Sequence, residues 1–263
     1  MKKKIELIMA VCLVIAAFFL GSQSAILVQN SHTDTGELPD TPGTDSVSNT
    51  ELAGNGQNES SSDGLSIVID AGHGGIDPGK VGINDALEKD INLALALKLR
   101  DKFSQDSIRI ILTRDSDTGL YSEGSTNKKA EDMQTRCKII SDASPIFTVS
   151  LHQNSYPSPE VCGAQVFYFG QSQDGKKLAD MIQDSLISNV DPDNHRVAKA
   201  NESYYLLKKT PTPTVIVECG FLSNPTEADL LLTDDYQNQL VDAIYNGIPV
   251  SYTHLTLPTT SIV

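Results

Sequence analysis

The chain has 263 residues, a mass of 28.4 kDa and a formal net charge of −14. Hydrophobic residues make up 39% and charged residues 21% of the sequence, which suits one soluble core and excludes a protein with several membrane spans. The acidic balance offers no basic surface to a phosphate backbone, so the composition excludes nucleic acid as a first hypothesis for the partner.

The N-terminal quarter of the chain has the pattern of an export segment followed by a linker. Three lysines at 2–4 precede an uncharged run over residues 7–20, which is long enough for a signal peptide and short for a membrane-spanning helix. We therefore expect residues 1–28 to be a signal peptide or an N-terminal membrane anchor, and the only part that meets a membrane. Residues 29–64 carry seven acidic side chains and no Lys or Arg, and we expect a disordered acidic linker there.

Beyond the linker, strand-like and helix-like segments alternate. The apolar run at 67–69 predicts a buried strand, and apolar residues at every fourth position predict a helix over 88–103. Further strands are predicted at 108–112, 146–151, 164–169, 204–207 and 214–217, and further helices around 133–140, 176–187 and 236–245. This alternation predicts a single three-layer α-β-α domain with a mostly parallel central sheet, at residues 65–252. Residues 253–263 are a tail of unknown role.

Four polar side chains follow predicted strand ends or begin a predicted helix. They are His73, Glu88, His152 and Glu218. Because ligands gather at the carboxyl ends of strands in open α/β sheets, we expect these residues to share one rim. Two His and one carboxylate are a common ligand set for catalytic zinc, and an unligated carboxylate can serve as base and acid. Taken singly, each residue has a simpler interpretation, such as a rim histidine or a helix-start charge; only the combination indicates a metal site.

The segments around these residues resemble the zinc-dependent N-acetylmuramoyl-L-alanine amidases of the amidase-3 type. The resemblance runs from Leu65 to Tyr252. Five motifs occur in the family's order, at 67–79, 87–93, 112–115, 150–154 and 217–224.

The resemblance implies a role for each of the four side chains. His73, Glu88 and His152 match the ligands of one Zn²⁺, and Glu218 matches the catalytic glutamate. The family hydrolyses the amide between the lactyl group of N-acetylmuramic acid and the L-Ala that begins the stem peptide of peptidoglycan. Its fold is a single α/β domain, which agrees with the predicted elements.

Two further segments, 153–157 and 201–207, look like the germination-specific subgroup of spore-forming bacteria. That subgroup removes stem peptides during the formation of muramic lactam in the spore cortex. Together with the export segment, this predicts an exported enzyme at the outer face of the cytoplasmic membrane or in the cell wall, with the forespore or spore cortex as one location, and we expect a monomer. Whether an activating or sporulation partner protein binds the enzyme stays open.

Two alternatives stay open, another zinc peptidase such as a carboxypeptidase and a non-catalytic peptidoglycan-binding protein.

Arg136 could bind a stem-peptide carboxylate, but we favour a structural ion pair. Cys219 adjoins Glu218, yet strand alternation turns its side chain to the opposite face, so we expect a core residue. With Cys137 and Cys162 it forms no CxxC pair, and the disulfide state stays open.

Overall fold

The structure, a computed structural model, describes residues 65–104, 106 and 108–248. The predicted signal or anchor at 1–28, the linker at 29–64 and the tail at 253–263 lie outside these described residues. Within the described ranges, no helix combines the length and the apolar character that a membrane span requires.

One sheet of six strands runs through the described part of the chain. The strands β1–β6 are Ser66–Ala71, Arg109–Leu112, Phe147–Asn154, Gln165–Tyr168, Lys199–Ala200 and Thr214–Phe221. Their order across the sheet is β2-β1-β3-β6-β4-β5. Only the β4–β6 pair is antiparallel, so the prediction of a mostly parallel sheet is confirmed.

Helices cover both faces of this sheet. The helices α1–α6 are Glu88–Phe103, Lys128–Ala143, Gln173–Asn189, Tyr205–Lys209, Pro225–Leu230 and Asp234–Gly247. Helices α1, α3 and α6 contribute the large core cluster on one face, and α2 and α4 contribute the smaller one on the other. The three-layer α-β-α architecture of a single domain is therefore confirmed.

Strand β1 illustrates why both faces become buried. Ile67 and Ile69 point into the large cluster, whereas Val68 points into the small one, and all three are fully buried. When a strand has apolar residues at consecutive positions, burying both of its faces stabilises the folded state. A parallel sheet between two helical layers allows this.

The strand predicted at 204–207 is wrong, because this segment begins helix α4. The side chain of Asn201 accepts hydrogen bonds from the backbone N–H groups of Ser203 and Tyr204, and this turn leads the chain into the helix. A four-residue apolar run does not distinguish a strand from a buried helical turn, which explains the error. The edge strand of this region is the two-residue β5, just before the turn.

Helix α5 was not predicted from the sequence. It begins after Asn224, whose side chain accepts a hydrogen bond from the Glu227 backbone N–H, and Pro225 occupies the first turn. An Asn cap followed by Pro and then Glu is a helix-start pattern that the sequence contains.

Candidate metal centre

The carboxyl ends of β1, β3 and β6 meet at one edge of the sheet. His73 follows β1, while His152 on β3 and Glu218 on β6 are direct partners in the strand register. Glu88 reaches the same edge as the first residue of α1. The sheet thus brings together four side chains that are far apart in sequence.

Three of these side chains converge on one point. One ligand atom from each of His73, Glu88 and His152 lies within 4.8 Å of the other two. Glu88 Oε1 is 3.3 Å from His73 Nε2 and 3.0 Å from His152 Nδ1. The two imidazole centroids are 5.0 Å apart. Two imidazoles and a carboxylate at this spacing could hold one divalent ion and leave a coordination position open.

The Glu88 carboxylate is buried and held by the main chain. Its Oε1 accepts the Gln153 N–H at 3.0 Å, and its Oε2 accepts the Lys80 N–H at 2.7 Å. Burial opposes ionisation, but the hydrogen bonds and charges of His152 and His73 outweigh it and keep the pKa of Glu88 well below its ordinary value. Glu88 is therefore ionised, which is the form that binds a cation.

The His73 ring is oriented by a contact on its far side. Its Nδ1 lies 3.0 Å from Asp77 Oδ2, so Nε2 faces Glu88. A carboxylate behind a metal-binding histidine fixes the ring and raises its strength as a ligand. No role was predicted for Asp77 from the sequence, although the residue lies within the first motif.

Two buried arginines hold the main chain that carries His73. Arg114 donates to the carbonyls of Ala71 and Gly72, both at 3.0 Å, and Arg136 donates to the carbonyls of Ala71 and His73, both at 2.7 Å. His73 has a φ of 61°, a conformation that non-glycine residues rarely adopt. Three successive carbonyls are thus held, which stabilises this backbone shape.

Arg136 also forms the structural ion pairs that the sequence analysis favoured. It contacts Asp70 and Asp132, each at 2.6 Å, and only 2% of its side chain is exposed. Its hydrogen bonds go to these two carboxylates and to the carbonyls of Ala71 and His73, which favours a structural role over binding of a stem-peptide carboxylate. The role of Arg114 was missed, although its position just after a predicted strand places it at the ligand edge.

Glycines provide the space for the ligand side chains. A Cβ on Gly72 would lie 2.3 Å from His152 Cε1, and a Cβ on Gly79 would lie 2.5 Å from Glu88 Oε2. Neither position has room for a side chain, so the backbone approaches the ligands as closely as glycine permits.

Glu218 faces the three-residue group but is not part of it. Its Oε1 accepts a long hydrogen bond of 3.5 Å from the Tyr204 hydroxyl. Its Oε2 is buried and has no hydrogen-bond partner among the described residues. Burial, with a contribution from the charge of Glu88, raises the pKa of Glu218 above its ordinary value. A buried carboxylate oxygen without a partner is suited to exchange a proton with a substrate or a water.

A cavity of about 530 Å³ opens directly over these residues. His73, Glu88, His152 and Glu218 all line it, which places the reactive groups within reach of a bound molecule of sugar-peptide size. Further lining comes from the loops after β1 and β2, from α2 and from the start of α4, and includes Ile76, Lys80, Tyr121, Lys128, Met133, Tyr204 and Tyr205.

The described cysteines take no part in the site. Cys137, Cys162 and Cys219 are free thiols. Cys219 is fully buried in the large core cluster, as predicted. Burial, together with the charge of Glu218, raises the pKa of its thiol, which removes it as a nucleophile.

Comparison with known proteins identifies the family. A family model described as N-acetylmuramoyl-L-alanine amidase matches residues 67–249. The chain is 40% identical over 188 residues to the germination-specific N-acetylmuramoyl-L-alanine amidase of Bacillus subtilis, covering 70% of this chain and 78% of that protein. It is 27% identical over 231 residues to the amidase AmiA of Escherichia coli, covering 72% and 76%.

Solved structures agree with the sequence comparison. The CwlD amidase of Clostridioides difficile, solved in complex with the GerS lipoprotein, is similar with 42% identity and a TM-score of 0.68, covering 70% of this chain and 95% of that chain. An N-acetylmuramoyl-L-alanine amidase of Clostridium difficile 630 has 28% identity and a TM-score of 0.64, covering 74% and 100%. The chain therefore belongs to the N-acetylmuramoyl-L-alanine amidase family of the amidase-3 type, whose members cleave peptidoglycan.

Proposed function

We propose that the chain hydrolyses the amide between the lactyl group of N-acetylmuramic acid and the L-Ala of the stem peptide. In this proposal His73, Glu88 and His152 hold one Zn²⁺, and Glu218 is the catalytic base and acid. The observation that carries it is the convergence of three ligand atoms within 4.8 Å of one another, beside a buried carboxylate with a free oxygen.

The donor set fits zinc for chemical reasons. Two imidazoles and one carboxylate, with a position left for water, are typical of catalytic zinc sites, and the glycine at 72 leaves the His152 ring the space it needs. Bound there, the ion would supply Lewis acidity, lowering the pKa of a water and polarising a carbonyl. Asp77 and the two buried arginines would keep His73 in the ligating orientation.

Glu218 supplies the proton transfers. Its Oε2 accepts a proton from the water that attacks the lactyl carbonyl carbon. As the bond between this carbon and the Ala nitrogen breaks, Glu218 returns the proton to that nitrogen, and the products are a lactyl carboxylate and a free amine. A raised pKa suits a carboxylate that must both accept and donate a proton near neutral pH. Burial and the charge of Glu218 raise the pKa of Tyr204 to about 12, so its hydroxyl remains a donor to Oε1.

Digestion of purified peptidoglycan tests this function. We expect a new amino terminus on L-Ala, identified by labelling the digest and by mass spectrometry of the released stem peptides. Release of a C-terminal amino acid instead would favour a carboxypeptidase, and binding to glycan strands without any new amine would favour a non-catalytic protein. Glu218→Gln should lower kcat by at least about 100-fold and retain the metal, whereas the exposed Glu123→Gln should match the wild type.

We further propose a role in maturation of the spore cortex. The 40% identity with the germination-specific amidase and the likeness to CwlD support it. Residues 1–28 would direct export, residues 29–64 would tether the catalytic domain, and a lipoprotein such as the one bound to CwlD is the class of partner we expect. A Bacillus subtilis strain that lacks its germination-specific amidase provides the test. Expression of this chain should restore muramic lactam to its cortex, and expression of the Glu218→Gln variant should not.

A further inference from the structure

Lysines border the cavity on the side formed by the loop after β1 and by the start of α2. Lys80, Lys128 and Lys129 all line it there. The chain as a whole carries a formal charge of −14, so its long-range field repels an anionic substrate. Three lysines nevertheless lie beside the proposed metal centre, where carboxylates also line the cavity.

Two of these lysines are connected to the proposed metal ligands, Lys80 through its backbone and Lys129 through Asp77. The Lys80 backbone N–H donates to Glu88 Oε2 at 2.7 Å. Lys129 Nζ lies 3.2 Å from Asp77 Oδ1, and the other oxygen of Asp77 lies 3.0 Å from His73 Nδ1. The backbone of Lys80 and the side chain of Lys129 are therefore held close to the proposed ligands.

The positive charges of Lys80 and Lys128 are not neutralised by the protein. Asp70 and Asp132 in the cavity wall pair with Arg136, and Asp77 pairs with Lys129. Lys128 Nζ lies 5.1 Å from the centroid of the Tyr121 ring, and in the described part of the chain no carboxylate forms an ion pair with Lys80 or Lys128.

Most other lysines in the described part of the chain form ion pairs, whereas Lys199, Lys208 and Lys209 form none. The six that pair with aspartates are Lys89, Lys98, Lys102, Lys138, Lys176 and Lys177. Two unpaired cations at the mouth of a catalytic cavity are therefore free to bind an anionic group of the substrate.

We propose that Lys80 and Lys128 form a subsite for the α-carboxylate of the stem-peptide residue that follows L-Ala. The proposal rests on the amidase function proposed above. That residue is joined to the rest of the stem through its side-chain carboxyl group, so its α-carboxylate is free. In an extended chain it lies about 7 Å from the scissile amide, which a lysine side chain anchored beside the ligands can reach. The peptide would then run along the start of α2.

The test compares two soluble muramoyl peptides that differ only in this group, one with the free carboxylate and one with the carboxamide. We expect the wild type to prefer the carboxylate by about tenfold in kcat/KM. The Lys80→Gln/Lys128→Gln variant should lose this preference through a higher KM for the carboxylate substrate, with hydrolysis of the carboxamide unchanged. Lys138→Gln, on the exposed part of α2, is the matched control and should retain the preference.

The subsite proposal would be overturned if the double variant lost kcat/KM equally for both substrates, or if it kept the preference for the carboxylate substrate. Calorimetric binding of the two released peptides to zinc-loaded protein separates this result from failure of the amidase function. If neither substrate is hydrolysed, the proposed function is wrong. The subsite proposal is then tested by binding alone. The wild type should bind the peptide with the free carboxylate about tenfold more tightly than the peptide with the carboxamide, and the double variant should bind both equally.

Discussion

At the scale of single residues, the proposed metal centre depends on contacts that lie behind the proposed ligand atoms. Asp77 orients the His73 ring, the Gln153 N–H holds Glu88, and the absence of a side chain at residue 72 leaves room for the His152 ring. Such contacts restrict each ligand to one orientation, and their loss weakens metal binding even when all ligands are present.

The space at Gly72 can be tested directly. In Gly72→Ala the new Cβ would lie 2.3 Å from the His152 ring, so the ring must move away. We expect zinc affinity, measured by competition with a chromophoric chelator, to fall by about 10- to 100-fold. Gly124→Ala is the control, because its Cβ would meet nothing within 4 Å. Unchanged affinity in Gly72→Ala would show that the His152 ring position does not matter for the metal.

The clamp formed by Arg136 makes a second prediction. Arg136→Lys keeps the positive charge beside Asp70 but cannot make the separate hydrogen bond to the His73 carbonyl at the same time. We expect zinc affinity to fall by about tenfold or more while circular dichroism reports a folded protein. Arg100→Lys, partly exposed on α1, should behave like the wild type. If both variants bind zinc equally well, the clamp has no role in ligand positioning.

The sequence predicted which residues converge at the proposed metal centre, but it did not predict the contacts behind them. His73, Glu88 and His152 follow predicted strand ends or begin a predicted helix, and they lie in motifs that resemble a family. Arg136 reaches the His73 carbonyl across 63 positions of sequence, through the packing of α2 on the sheet. No local pattern encodes such a contact, because it depends on the relative placement of two elements.

At the scale of elements, long patterns predicted the structure better than short ones. Helix α1 begins and ends where the four-residue spacing predicted, at Glu88 and Phe103. The short apolar run at 204–207 was assigned to a strand, although a turn at Asn201 makes it helical. An element of four or five residues is determined by such turns and by tertiary burial rather than by periodicity.

The contact between α3 and α6 provides a test at this scale. A Cβ on Gly247, the last residue of α6, would lie 2.7 Å from the Ile182 Cα of α3. Gly247→Ala should push the helices apart and reduce the free energy of unfolding by about 1–3 kcal/mol. Chemical unfolding followed by circular dichroism measures this loss, with Gly124→Ala as the control. An unchanged free energy of unfolding would mean that the two helices can move apart without destabilising the fold.

At the scale of the whole molecule, a buried polar group joins the layers beneath the metal centre. Asp70 on β1 accepts hydrogen bonds from Arg136 of α2, Ser150 of β3 and Thr113 after β2. Burial opposes its ionisation, but the charge of Arg136 and these hydrogen bonds lower the pKa of Asp70 to about 2. The mostly parallel sheet that carries this group was predictable from alternating elements, and the linkage of layers through Asp70 was not.

This linkage makes stability depend on pH in a defined direction. Because folding lowers the pKa of Asp70 from 3.8 to about 2, its ionised form stabilises the fold above pH 3.8, by about 2 kcal/mol, and this gain is lost as the pH falls toward 2. Asp70→Asn should lose about 3–5 kcal/mol at pH 6, because the buried Arg136 keeps only Asp132 as a carboxylate partner. Urea unfolding at pH 6 and at pH 3 should give a smaller difference between wild type and variant at pH 3. A difference that grows as the pH falls would contradict this role.

Anomalous diffraction at the zinc absorption edge, from crystals grown with Zn²⁺, tests the proposed metal centre most directly. We predict one strong peak among the side chains of His73, Glu88 and His152, with the Glu218 carboxylate facing it and no direct bond between them. The peak should disappear in crystals of His152→Ala that retain the fold. A peak at another place, or none at this edge of the sheet when zinc is in excess, would contradict the proposed centre.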